Sequence, residues 1–154
     1  MRIRKFCSED KKQVSALISK ILREIFKVKP KKVMLDRGLF RKDGVLYIAE
    51  DKHKIVGTIG IRKQSNRVAR LNKMYIEKFY RGSGLSQKLL KKALAFARDK
   101  GYRKIILSTT PQMKRAITFY KNNGFVKYRI NRHGNQIFFF LLMERLRRID
   151  SKKS

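Results

Sequence analysis

The chain has 154 residues and is 42% hydrophobic, long enough to bury one core and short for two ordinary domains. Forty-one Lys and Arg against eleven Asp and Glu leave a net charge of +30, whose field attracts anions from phosphorylated cofactors to RNA and ribosomes. One cysteine and two histidines exclude a disulfide framework and offer no metal-ligand spacing, and no apolar run approaches the roughly 20 residues of a membrane-spanning helix.

The opening MRIRKF reads as a short strand, and its charges stand where a signal peptide needs an apolar stretch, so a cytoplasmic, reducing setting is expected. Cys7, at the strand end, reads as a small buried hydrophobe. Ser8 is placed to cap the next helix, with Glu9 and Asp10 in the first turn, where the helix dipole favours acids. Val14, Leu17, Ile18, Ile21, Leu22, Ile25 and Phe26 then recur on one face at helical spacing. Lys27 to Gly44 reads as a loop with room for a short helix, anchored by some of Val33, Met34, Leu35, Leu39 and Phe40.

VLYIAED and HKIVGTIGIRK form a hairpin around the polar turn at Asp51 to Lys54. A third strand follows at Val68 to Ile76. A long helix runs from about Gly84, with Leu85, Leu89, Leu90, Ala93, Leu94 and Ala97 on one face. KIILSTT is a short apolar strand. Thr110 and Pro111 read as the cap and first position of a last helix, with Met113, Ala116, Ile117 and Tyr120 as its inner stripe and Gly124 as its end. FVKYRI and QIFFFLLM close the domain, expected over 1–146, and the run Phe138 to Phe140 reads as buried on both faces. His53 and His133 fall in hairpin turns, exposed to solvent. Residues 147–154 read as a basic tail.

The stretch MYIEKFYRGSGLSQKLLKKALAFA, Met74 to Ala97, places an arginine and two glycines where a strand becomes a helix. A tight turn would use such glycines. So would an anion cradle, since free amides at a helix N-terminus and absent side chains let a phosphate approach the backbone.

Together with AITFYKNNGF further on, this stretch resembles the Gcn5-related N-acetyltransferase (GNAT) superfamily. Arg81, Gly84 and Ser86 match its signature of Gln or Arg, two residues, Gly, one residue, then Gly or Ala, with Ser86 small but off-pattern. The resemblance covers most of the chain and is best from about Val68 to Tyr128. It implies an α/β fold of the α+β type, a mixed central sheet of about six to seven strands flanked by helices, with a splayed parallel strand pair forming an acyl-CoA cleft. It further implies transfer of an acetyl group from acetyl-CoA to a primary amine of a small molecule or protein. Met74, Tyr75 and Ile76 would pair with the pantetheine arm, and the backbone of Arg81, Gly82, Ser83, Gly84, Leu85 and Ser86 would hold the pyrophosphate. Tyr120 matches the tyrosine that protonates the departing thiolate in that family.

Two positions depart from the pattern. Arg70 stands where many relatives carry a glutamate base, leaving Glu50, Asp51, Glu77 or a relayed water, and Met113 replaces an asparagine that touches the cofactor. The other class of reading is a basic module that binds nucleic acid, RNA or DNA, or ribosomes on the same scaffold. For an enzyme, +30 repels polycations, so the acceptor amine is expected on a neutral or acidic molecule. The oligomeric state stays open.

Overall fold

The β-branched and aromatic runs build the sheet. In the computed structural model, which describes residues 1–146, β1 (Arg2–Lys5), β2 (Val45–Asp51), β3 (Lys54–Ser65) and β4 (Val68–Ile76) pair antiparallel in turn. The tail read at 147–154 lies outside the described residues. β5 (Lys104–Thr109) joins parallel to β4, and β7 (Ile137–Leu142) lies between β5 and β6 (Val126–Ile130). The order is β1-β2-β3-β4-β5-β7-β6, a seven-stranded mixed sheet as expected.

Helices cover both faces. α1 (Lys11–Phe26) packs Val14, Leu17, Ile18 and Ile21 with Ile48 and Ile55. On the other face α2 (Leu85–Asp99) and α3 (Lys114–Asn122) close the larger core, where Leu89, Ala93 and Ala97 meet Ile59, Ile61, Ala69, Ile105 and Leu107. Each Val, Leu or Ile side chain among them stabilises by about 1.5–3 kcal/mol when removed from water.

Several local expectations are corrected. Ser8 does not cap α1: the chain makes a 3-10 turn over Ser8–Asp10, and the Asp10 carboxylate accepts from the Cys7 amide at 2.8 Å. Cys7 is exposed, because its thiol turns to Asp10 instead of the core. Thr110 and Pro111 do not open the last helix, since the Met113 amide bonds the Thr110 carbonyl in a turn and α3 starts at Lys114. In the run Phe138 to Phe140 only Phe139 is buried, the other two facing away from the α2 side of the sheet. The 27–44 loop does carry a 3-10 turn, Arg37–Phe40, anchored by buried Leu39, while Met34 and Phe40 are exposed.

One irregularity positions the site. β4 pairs with β5 only at Val68↔Lys104, Ala69↔Ile105 and Arg70↔Ile106, after which the strands part. The β3–β4 register shifts between Thr58 and Gly60, Lys73 takes φ +53°, and the Thr58 hydroxyl donates to the Lys73 carbonyl at 2.6 Å. A bulge of this kind bends a strand and adds twist. It turns the second half of β4 away from β5.

Candidate active site

Past the fork, Tyr75 and Ile76 remain paired to β3 while the other edge of β4 has no strand beside it. Unpaired backbone groups there need a partner, as at any open strand edge. A cavity of about 670 Å³ lies along this edge. Met74, Tyr75, Ile76, Arg81, Gly82 and Ser86 line one wall, and Met113, Ala116, Phe119 and Tyr120 line the other. Seven of the ten residues expected at the site are thus brought together. The remaining three sit in the same turn without lining the cavity. The Ser83 hydroxyl donates to the Tyr80 carbonyl, Gly84 precedes α2, and Leu85 is buried in the core.

Gly82 and Gly84 have φ of +76° and +86°, a region costly for residues with a Cβ. A Cβ at either would meet nothing within 4 Å, so open space lies above both. Among the described residues the amides of Gly82, Ser83 and Gly84 donate to no backbone carbonyl, and no side chain caps α2. Free amides, a helix N-terminus and room for an anion occur together, and a diphosphate fits that arrangement.

Arg81 holds the cradle in place from behind. Its guanidinium donates to the Ile76 carbonyl at 3.2 Å and to Glu24 at 2.7 Å. The ion pair holds the Glu24 carboxyl below its usual range. Sequence reasoning missed Glu24, although it is the one acidic residue of α1 and its neighbours on the inner stripe marked that face.

Tyr120 is buried, 6% exposed, with Phe119, Phe125 and Phe139 around its ring. Burial, with a smaller contribution from Tyr75, pushes its phenol well above the ordinary value, so the proton stays on oxygen. The candidate bases are engaged elsewhere. Glu50 accepts from Arg2, Asp51 from the Tyr80 hydroxyl at 2.7 Å, and Glu77 from Lys20 at 3.1 Å, and none of the three lines the cavity. Arg70 sits at the fork, donating to Gln64 at 3.0 Å and Ser108 at 3.3 Å.

A larger cavity of about 1190 Å³ lies at the other end of α2, bordered by Lys63, Arg67, Lys91 and Arg98. The open edge, the amide turn and the phenol all meet at the smaller one. Among the described residues no group of three or more His, Cys, Asp or Glu is placed to hold a metal ion, and no described helix is long and apolar enough to cross a membrane.

An open mixed sheet whose central parallel pair splays beside a glycine turn defines an acyltransferase-like architecture. The chain belongs to the acetyltransferase (GNAT) family, whose model matches residues 11–125. It is 33% identical over 86 residues to N-acetyltransferase 8B of Homo sapiens, covering 53% of this chain and 38% of that protein, so the chain spans about two fifths of that relative's length. A GNAT-family acetyltransferase from Staphylococcus aureus Mu50 superposes with a TM-score of 0.80 over 92% of this chain and 98% of that one at 24% identity. A PaiA N-acetyltransferase of Thermoplasma acidophilum, solved in complex with coenzyme A, superposes with a TM-score of 0.76 at 17% identity, covering 92% and 98%.

Proposed function

We propose that the cavity along the open edge of β4 binds acetyl-CoA and that the protein transfers the acetyl group directly to a primary amine on a neutral or acidic molecule. The observation that carries this reading is the meeting, around one cavity, of an unpaired strand edge, a glycine turn with free amides and a buried phenol. Acetyl-CoA, when bound, supplies a thioester whose carbonyl carbon is the electrophile. The amides of Gly82 to Ser86 hold its diphosphate, and the edge at Met74 to Ile76 pairs with its amide-bearing arm as a strand would.

Tyr120 lines the same cavity and would donate its phenol proton to the sulfur of the bound thioester. As the amine nitrogen bonds to the carbonyl carbon and the carbon–sulfur bond breaks, the sulfur takes the Tyr120 proton, and the proton lost by the amine returns through water to the phenol. Glu24 and Arg81 position the turn. Removing only the hydroxyl, Tyr120→Phe keeps the ring contacts, so kcat is expected to fall about tenfold or more with acetyl-CoA affinity near wild type. An unchanged kcat with a good amine would return Tyr120 to a packing role.

A further inference from the structure

The fork itself holds more positive charge than its one carboxylate partner offsets. Arg62 and Arg70 stand directly opposite each other on β3 and β4, and like charges so placed repel. Arg62 has Asp36, its Nε 2.9 Å from the carboxylate though not aligned for a hydrogen bond. Arg70 is half-buried, and its partners are a neutral amide and a neutral hydroxyl. Lys73, also half-buried and next to Met74 in the bulge, has no described carboxylate within 4.0 Å, Asp36 being taken by Arg62. Cations drawn out of water are ordinarily paired, and an unpaired one raises the energy of the fold. Past the fork two further polar atoms, Asn72 Oδ1 on β4 and Thr110 Oγ1 beyond β5, are buried without partners.

The place of this charge gives it a use. With the diphosphate at Gly82 to Ser86, an arm running back along Ile76, Tyr75 and Met74 would bring its acetyl end towards the fork, where Lys73 and Arg70 stand just beyond the cavity lining. An acceptor must bring its amine to that point. Resting on the acetyl-CoA reading, we propose that Arg70 and Lys73 form an anion subsite for the acceptor, and that the amine acetylated is carried on a small molecule with a carboxylate or phosphate close to it. The ligand's anion then supplies the counter-charge that the fold lacks, and the guanidinium offers the two-pronged donor that such oxygens accept.

Calorimetric titration of the full chain with matched pairs tests this independently of acetyl transfer. Amino acids, phenylalanine and glutamate among them, are each compared with their carboxamides, and phosphoethanolamine with ethanolamine, so that the arms separate carboxylate from phosphate. In at least one arm the anionic member is expected to bind about tenfold more tightly than its neutral partner, the scale of one charge-assisted hydrogen bond. Arg70→Gln and, separately, Lys73→Gln should collapse that preference, and Arg70→Lys should restore part of it. Equal binding within every pair, or a preference untouched in both glutamine variants, would overturn the subsite. Failure of coenzyme A to bind the same samples would instead overturn the acetyl-CoA reading and leave the pairwise result to judge the subsite alone.

Discussion

Two arginines of the same sheet show how differently one residue type is accommodated. Arg4, on β1, spans the Asp10 carboxylate with bonds of 2.8 and 2.9 Å and reaches Glu50 at 3.4 Å. Arg70, on β4, meets an amide, a hydroxyl and a second arginine across the strand pair. At the β1–α1 junction the charge is internally neutralised and fastens the helix to the sheet edge. At the fork it is not, so the same chemistry faces outward to a ligand. Structural and functional cations thus differ in their partners.

Breaking the structural pair should have the largest effect. Arg4→Gln leaves Asp10, only 7% exposed at its side chain, without its cation, and about 3 kcal/mol of stability should be lost in denaturant unfolding. Acid probes the same pair with a smaller effect. The Arg4 hydrogen bond holds the Asp10 carboxyl down at about 2 against an ordinary 3.8, and the Cys7 amide adds to this. The folded value lies below the unfolded one, so this stability is complete above about pH 4 and is lost as pH falls through about 2, roughly 2 kcal/mol in all. In Arg4→Gln that acid-dependent part of the unfolding curve should shrink. Arg70→Gln should show the smallest effect, within about 0.5 kcal/mol of wild type, because it relieves repulsion from Arg62 and breaks no ion pair. A loss as large as that of Arg4→Gln would make Arg70 structural and erase the contrast.

Much of this architecture was legible because it is local. The bounds of β4 at Val68 and Ile76 were legible between the polar QSNR and the segment leading to the glycine turn, and the glycines at 82 and 84 mark a turn whose positive φ the structure displays. Tyr120 lay on the inner stripe of its helix by spacing alone. What was hidden depends on contacts between distant segments. Glu24 and Arg81 are 57 residues apart, and nothing in either segment announces the other. The opposition of Arg62 and Arg70 needs the β3–β4 register, which two shifts in that pairing make unreadable from alternation. Cys7 and Ser8 were misplaced because Asp10, not the serine, became the local acceptor. Phe138 and Phe140 read as interior because an unbroken aromatic run suits burial on both faces, whereas the core covers β7 only on the Phe139 side.

The central claim is that the open half of β4 and the glycine turn after it hold an acyl-CoA. Thermal unfolding with coenzyme A, in wild type and in Gly84→Asp, tests it most directly. At a hundred times its Kd the ligand should stabilise wild type by about 2.7 kcal/mol. The aspartate at position 84 meets no neighbour but is strained by the φ of +86°, so each shift is read against that variant's own ligand-free unfolding temperature, and its carboxylate would stand at the diphosphate. Gly134→Asp serves as the control, since Gly134 shares the positive φ and open surroundings in the β6–β7 turn, which does not line the cavity. A shift is expected in wild type and Gly134→Asp and none in Gly84→Asp, while equal shifts in all three proteins, or no shift in wild type, would contradict acyl-CoA binding at the glycine turn.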